Sequence, residues 1–212
     1  MRHVGKTKLQ QLIVSIGVLS FACASGRKST TAPDAPRLPA IREELLSMAN
    51  EDQQARFSTI KNKDPALWHA EEQMDQKHTA RLKTIVTNYG WPGKSLVGDD
   101  GAHAAWLLVQ HADKDPAFQK HCLEKMKDSF KAGETSGRDL AYLVDRVAVA
   151  ENRGQVYGTQ FIYTDKCEAM KPLPILDEQH VDERRKSVGL TGMAEYIEHV
   201  RRMYCEPGST NQ

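Results

Sequence analysis

The side chains of this sequence that could carry out chemistry lie in four short polar clusters. These clusters are Gly90–Pro92, Val109–Asp113, Tyr142–Val147 and Gln155–Gln160. His111, in the second cluster, is the natural candidate for a general acid or base, because an imidazole titrates near neutral pH. Asp113 is too close to His111 in the sequence to be its obvious partner, so we expect Asp145 to orient the ring. The alternative interpretation is a histidine that caps a helix end or forms a structural pair.

Several other side chains in these clusters are suited to binding a ligand. Arg146 offers a planar guanidinium group that matches a carboxylate or a phosphate. Glutamine amides both donate and accept hydrogen bonds, which suits a sugar, a peptide or the edge of a base. The candidate ligand-binding residues are Trp91, Gln110, Arg146, Gln155, Tyr157 and Gln160. The alternatives are an internal ion pair for Arg146, glutamines that satisfy backbone groups, and core packing for Trp91.

The stretch Gln155–Gln160 is unusually polar for a predicted strand. Strand interiors favour Val, Ile and aromatic residues, and an internal glycine such as Gly158 often marks the close approach of a ligand or of another backbone segment. Packing is the default explanation for such a glycine. We expect this stretch to form one wall of a polar cleft whose other wall carries Gln110 and His111.

Familiar catalytic and cofactor motifs do not occur in this sequence. Absent are H-E-x-x-H, G-x-S-x-G, G-x-x-x-x-G-K-[ST] and C-x-x-C, as well as a G-x-G-x-x-G that follows a strand. Five possible metal ligands lie close together in the sequence, but their spacing matches no tetrahedral site. They are His103, His111, Asp113, Asp115 and His121. We therefore expect no metal and no cofactor.

Apolar residues recur at helical spacing through most of the chain. Asp64-Pro65 and Asp115-Pro116 are typical helix starts, since each places proline directly after an N-cap residue. The segments Arg146–Ala150 and Gln155–Tyr163 are predicted as strands, joined by a turn at Glu151–Gly154. The predicted fold class is mainly α, a helical domain with one small antiparallel β-hairpin.

The amino-terminal residues have the pattern of an export signal. Arg2, Lys6 and Lys8 precede the apolar run Leu12–Ala22, which is too short for a mature membrane span. Ala22-Cys23-Ala24 fits ordinary signal peptidase, whereas Cys23 is also a candidate lipid-bearing cysteine. We predict a signal peptide at 1–24, a flexible linker at 25–39, a single helical domain at 40–205 and a tail at 206–212. The protein is expected to be periplasmic or a membrane-anchored lipoprotein.

Charge and cysteine content narrow the possible partners. Removal of residues 1–24 lowers the Lys+Arg count from 29 to 26 against 28 Asp+Glu, a net charge of −2. This charge, without a basic stripe, argues against nucleic acid. Cys122, Cys167 and Cys205 allow three pairings, and we expect Cys167 with Cys205 because Cys122 falls on the apolar side of a predicted helix. We expect a monomer.

The order and the residues of several motifs resemble those of an uncharacterised bacterial family, domain-of-unknown-function family 6624, which is often found behind export signals. The resemblance covers roughly residues 65–200. It is carried by G-W-P, A-W-L-L-V-Q-H-A-D, F-Q, A-Y-L-V-D-R-V, Q-V-Y-G-T-Q and D-E-R-R-K-S-V-G-L. It implies no reaction, but it supports treating the polar clusters as one unit.

Two classes of function stay open on this sequence. The first is an exported domain that binds a small polar ligand or an envelope protein without chemistry. The second is a hydrolase or transferase in which His111 acts as acid or base, Asp145 orients it, and Arg146 with Gln160 holds the substrate. The first is preferred because no nucleophile with a recognisable motif accompanies His111.

Overall fold

The computed structural model describes residues 35–62, 64–162 and 170–205, apart from the side chains of Ile60, Tyr204 and Cys205. The α-helices of these residues are α1 (Pro39–Asn62), α2 (Pro65–Tyr89), α3 (Lys94–Gln110), α4 (Pro116–Lys131), α5 (Gly137–Ala150), α6 (Val181–Ser187) and α7 (Met193–Cys205). A 3-10 turn, Glu178–His180, precedes α6. The strands β1 (Phe161–Ile162) and β2 (Lys171–Pro172) pair antiparallel. The predicted fold class, mainly α with one small antiparallel hairpin, is confirmed.

Local capping signals set where the long helices begin. The Asp64 carboxylate accepts a hydrogen bond from the Ala66 backbone N–H at 2.9 Å, with proline in the first turn of α2. Asp115 does the same at the start of α4, where it accepts from the Phe118 N–H at 3.0 Å. Gly90 ends α2 in a conformation with φ of +76°, which glycine adopts at little cost. Both predicted Asp-Pro helix starts are confirmed.

The hydrophobic core surrounds α3, which contacts α1, α2, α4 and α5. Large buried side chains of this core include Leu45, Leu82, Ile85, Trp106, Met126 and Leu143. A smaller cluster under the hairpin contains Phe161, Met170, Val181, Met193 and Val200. Because α3 is central, the residues at its carboxyl end lie close to α1, α2 and α4. Gln110 and His111 occupy that position.

The predicted hairpin lies in the wrong place along the chain. Arg146–Ala150 is the end of α5 rather than a strand, and the antiparallel pairing is between β1 and β2. The segment Gln155–Gln160 is irregular, with one parallel bridge from Gln155 to Ile175. The β-branched residues near Val147 favour a strand locally, but tertiary packing overrides that preference: α5 buries Leu143 and Val147, four residues apart, on its core side.

Gly158 is required for packing. Its φ is +70°, and a Cβ atom at this position would lie 2.7 Å from Ile175 Cδ1 and 2.9 Å from Met193 Sδ. A side chain would therefore overlap the cluster under the hairpin and would strain the backbone as well. The default explanation of this glycine, close packing rather than access for a ligand, agrees with these contacts.

Some of the sequence predictions fall outside the described residues. The apolar run Leu12–Ala22, Cys23 and Cys167 are outside them, as is the side chain of Cys205, so the Cys167–Cys205 disulfide stays a prediction. Cys122 is a free thiol inside the core, as expected, and burial raises its pKa to about 12. Among residues 35–62, 64–162 and 170–205, no helix has the length and apolar character needed to cross a membrane.

Candidate functional site

His111 is held by a carboxylate of α1. Its Nδ1 lies 2.8 Å from Asp52 Oδ1, and both residues are almost fully buried, with exposed fractions of 4% and 0%. Arg56 Nε is 3.0 Å from the same nitrogen. One ring nitrogen cannot donate to a carboxylate and accept from a guanidinium at once, so we assign an Nδ1–H that donates to Asp52. In the neutral ring this tautomer places the basic lone pair on Nε2.

Among the described residues, Arg56 is the only cation of a buried acidic network, which consists of Asp52, Arg56, Glu71, Asp75 and His111. Arg56 Nη1 donates to Glu71 Oε1 at 2.6 Å, and Arg56 Nη2 donates to Asp75 Oδ1 at 2.6 Å and to Asp52 Oδ1 at 3.1 Å. The network joins α1, α2 and the end of α3. Three carboxylates thus share one guanidinium, which leaves formal negative charge in excess when all three are ionised.

Burial and the neighbouring charges shift the pKa values of the network in opposite directions. Burial raises the pKa of Asp75 to about 7, and the neighbouring Asp52 and Glu71 add to this effect, which outweighs the opposing effect of Arg56. The pKa of Asp52 lies far below its usual range, because the contacts with His111 and Arg56 outweigh the cost of burial. Burial and the nearby Arg56 lower the pKa of His111. A proton shared between carboxylates near neutral pH is therefore assigned to Asp75.

The network opens onto a pocket between α2 and the α3–α4 turn. The pocket has a volume of about 340 Å³ and is lined by Asp75, Gln76, Thr79, Ala80, Lys83, His111, Ala112, Lys114 and Asp115. Asp75 and His111 form its connection to the buried network. Lys83 pairs with Asp115, and Lys114 Nζ lies 2.9 Å from Glu72 Oε1. Neither Asp145 nor Gln160 lines this pocket.

Asp75→Asn is expected to weaken the pH dependence of stability. A carboxyl whose folded-state pKa of about 7 exceeds its unfolded value stabilises the fold at low pH, and this contribution disappears as the pH rises through about 7. Between about pH 5 and about pH 8, the free energy of unfolding should fall by about 1–3 kcal/mol more in the wild type than in the variant. Urea denaturation at both pH values measures this difference. Equal pH dependence in the two proteins would contradict the assignment of the proton to Asp75.

Asp145 does not orient His111, so that prediction is wrong. The Asp145 carboxylate accepts hydrogen bonds from the backbone N–H groups of Val156 at 2.7 Å, Tyr157 at 3.0 Å and Thr159 at 2.8 Å. It also accepts from the Thr159 hydroxyl at 2.9 Å. The residue is fully buried. Asp145 therefore anchors the irregular segment after α5, and Asp52 takes the role at His111 that the sequence suggested for Asp145.

Arg146 and Gln160 lie near each other but are engaged within the protein. Arg146 forms a bidentate pair with Asp113, with Arg146 Nε 2.8 Å from Asp113 Oδ1. Its Nη1 is 3.5 Å from Gln160 Oε1, a long contact. After burial and Arg56, the charge of Arg146 also contributes to lowering the pKa of His111. The internal ion pair, considered as an alternative for Arg146, is the arrangement observed.

Three of the remaining predicted ligand-binding residues bond to other protein groups, and the fourth, Gln110, has an amide without an explained role. Gln155 Nε2 donates to the carbonyls of Gln160 at 3.0 Å and Leu173 at 2.8 Å. Trp91 Nε1 donates to Thr135 Oγ1 at 2.9 Å inside the core. The Tyr157 carbonyl accepts from Arg185 Nη1 at 2.6 Å. The Gln110 amide is buried and has no hydrogen-bond partner among the described residues.

The expected cleft wall is therefore an interior element. Gln155, Thr159 and Gln160 are all buried, and their amides and hydroxyls bond to protein groups, so they do not line the pocket at His111. The polar character of this stretch has a physical explanation: an irregular buried segment lacks a strand partner, and its backbone groups must bond to side chains instead.

Four residues of the acidic network were missed at the level of sequence: Asp52, Arg56, Glu71 and Asp75. The polar residues around Asp52 interrupt the apolar periodicity of α1, so the sequence pattern does not single them out. A usable signal was present, because Asp52, Arg56 and Thr59 continue the buried stripe that Leu45 and Met48 begin at helical spacing. Charged residues at core positions of a helix have to find partners elsewhere in the fold.

In the part of the chain that the structure describes, no group of His, Cys, Asp or Glu side chains is placed to hold a metal ion.

Comparison with known proteins identifies a family. No curated protein and no solved structure matches the chain. A family model does match, over residues 39–206, which is most of the chain. The chain therefore belongs to DUF6624, a family of unknown function.

Proposed function

We propose that this domain binds a small polar ligand in the pocket formed by α2 and the α3–α4 turn. The observation that carries the proposal is that two titratable groups of one buried network, Asp75 and His111, line a pocket of about 340 Å³. That volume is within the range of small-molecule sites. Polar groups with shifted pKa values in a concave site are also typical of functional positions.

The energetics of the network support a functional rather than a purely structural role. Burying charged groups costs several kcal/mol per ion, and well-packed apolar residues often serve stability equally well. Burying three carboxylates around the single guanidinium of Arg56 costs more free energy than an apolar contact between α1 and α2 would. A role in recognition explains why such a network lies at a pocket.

A ligand screen with a matched pair of variants tests the proposal. The mature protein is screened by thermal shift and calorimetry against amino acids, sugars, nucleosides and small amines. We expect a compound that stabilises the wild type and loses at least about tenfold in affinity in Asp75→Asn, equivalent to roughly 1.4 kcal/mol. Asp128→Asn, which changes an exposed carboxylate at the end of α4, is the control and should bind normally. A ligand that binds both variants as tightly as the wild type would place the site elsewhere.

A second candidate is an enzyme, a hydrolase or transferase that uses His111 as its general base. The contact of 2.8 Å between His111 Nδ1 and Asp52 favours it, because a carboxylate in this position sets the tautomer and steadies the ring. His111 would accept a proton from a water or hydroxyl nucleophile, and protonated Asp75 would donate one to the leaving group. Hydrolysis of chromogenic esters and phosphates, lost at least about 100-fold in His111→Gln, is the expected result. Activity that survives this change would exclude His111 as the base.

Export to the cell envelope is the third part of the proposal, and an envelope protein is the other partner considered. The basic residues before Leu12–Ala22 support export, and Cys23 supports a lipid anchor that would tether the monomeric domain to a membrane. Metabolic labelling with a palmitate analogue should label the wild type and leave Cys23→Ala unlabelled. If both are unlabelled and appear as soluble protein that begins at Ser25, the anchor is excluded and ordinary cleavage is supported.

A further inference from the structure

The pocket at Asp75 and His111 continues along α2 into a second pocket. This second compartment has a volume of about 320 Å³ and is lined by Lys83, Val86, Thr87, Asp115, Ala117, Phe118 and His121. Lys83 and Asp115 line both compartments. The two compartments are therefore neighbours that meet at this ion pair, and together we call them the α2 groove.

One side of α2 forms a continuous wall of the α2 groove. Asp75, Thr79, Lys83 and Thr87 follow each other at intervals of four residues, so they lie on one face of the helix. With a rise of about 1.5 Å per residue, the distance along the helix from Asp75 to Thr87 is about 18 Å. The groove is thus long enough for an extended molecule.

The ion pair between Lys83 and Asp115 lies at the junction of the two compartments, and we call it the Lys83–Asp115 bar. Asp115 is held in place because it caps α4 by accepting from the Phe118 N–H at 3.0 Å. Lys83 is half-exposed, and its Nζ lies 5.5 Å from the centre of the Phe118 ring. Exposed ion pairs contribute little to stability, and the lysine side chain is flexible. The bar can therefore open through movement of Lys83 while Asp115 stays in place.

The charges of the first compartment select the head group of the ligand. Asp75 lines it, and the network to which Asp75 belongs has three carboxylates for one guanidinium. The two lysines that line the compartment are compensated, because Lys83 pairs with Asp115 and Lys114 pairs with Glu72. A protonated amine at Asp75 would take the place of the proton held there and pair with the ionised carboxylate.

The second compartment has a different character. Val86, Ala117 and Phe118 give it apolar surface, and Val86 and Phe118 are themselves largely buried in the core. Apolar walls favour the hydrocarbon part of a ligand, because each methylene removed from water raises the affinity about threefold to fourfold.

We infer that the α2 groove binds an elongated primary amine, with its ammonium group at Asp75 and its hydrocarbon chain running along α2 toward the Lys83–Asp115 bar, which hinders its entry into the compartment at Phe118. This inference rests on the proposed function, since it names the class of ligand for the same site. It adds a specificity-determining residue, Lys83, which limits how much of the chain enters the second compartment.

Binding of straight-chain primary amines from butylamine to decylamine to the mature protein tests this inference by calorimetry. In the wild type, affinity should rise about threefold to fourfold for each added methylene and then level off where the chain meets the bar. In Lys83→Ala the rise should continue for several further methylenes. Lys77→Ala, which changes an exposed lysine of α2 outside the groove, should behave like the wild type.

The possible outcomes separate this inference from the proposed function. If amines bind in an Asp75-dependent manner but chain length has the same effect in the wild type and in Lys83→Ala, Lys83 does not limit the chain. The amine site at Asp75 is then still supported. If long amines bind equally well to Asp75→Asn, their binding is non-specific and the inference fails. If no amine of any length binds, the amine head group is wrong, and the broader ligand screen decides the proposed function independently.

Discussion

Arg56→Met is expected to lower the free energy of unfolding by about 3–5 kcal/mol at neutral pH. The substitution keeps much of the side-chain volume and removes the guanidinium that the three carboxylates of the acidic network share. Asp52, Glu71 and Asp75 then face one another without the hydrogen bonds of 2.6–3.1 Å that Arg56 donates to them. Removing one partner of a buried charge pair is costly because the other charges stay buried and unpaired. Equilibrium urea denaturation measures the loss.

The pH dependence of this loss identifies its electrostatic origin. Protonation relieves the repulsion between the three carboxylates, so the destabilisation by Arg56→Met should be smaller at about pH 4 than at about pH 7. Arg42→Met is the matched control, because Arg42 forms an exposed pair with Asp100 and its loss should change the stability little. A loss in Arg56→Met that resembles the control, or that does not change with pH, would contradict the account of the network.

Asp145→Ala is expected to destabilise the protein by about 3–5 kcal/mol, although Asp145 does not touch the pocket. The change leaves the backbone N–H groups of Val156, Tyr157 and Thr159 without their acceptor. A buried donor left without a partner costs about 1–3 kcal/mol, and partial access of water reduces the sum. Asp145→Asn retains one acceptor oxygen and should give an intermediate loss. Urea denaturation measures both variants.

Hydrogen exchange distinguishes the anchoring role of Asp145 from a role at His111. In Asp145→Asn, the amides of Val156 and Thr159 should exchange much faster than in the wild type, whereas those of α3 should be unchanged. Asp128→Asn, an exposed change on α4, serves as control. Unchanged protection of the segment 156–159 would show that Asp145 does not hold it.

Local chemistry explains which parts of the fold could be predicted. Asp64 and Asp115 cap helices by accepting hydrogen bonds from backbone groups only two or three residues away, so the adjacent sequence is sufficient to predict their role. The burial of Cys122 follows in the same way from its position on the apolar side of α4. The hairpin could not be placed, because the ends of α5 and the start of the strands depend on which side chains the core covers.

The candidate site shows the same division. The residue types of His111 and Arg146 marked them as candidates, since each has few uses inside a protein that do not involve a charged partner. Their partners were assigned wrongly or missed, because Asp52 is 59 residues from His111 and Asp113 is 33 residues from Arg146. The spacing of residues along one helix does not indicate which residues of another helix they contact.

The sequence by itself determined the family, the mainly helical fold and the starts of α2 and α4, because these depend on motifs and on interactions between near neighbours. Only the tertiary structure decided that Asp52 rather than Asp145 holds His111, that Arg56 is shared by three carboxylates, and that Asp75 faces a pocket. The physical reason is that burial and Coulomb interactions depend on distance in space. The packing of α1 and α2 against α3 brings these charges together from segments that are remote in sequence.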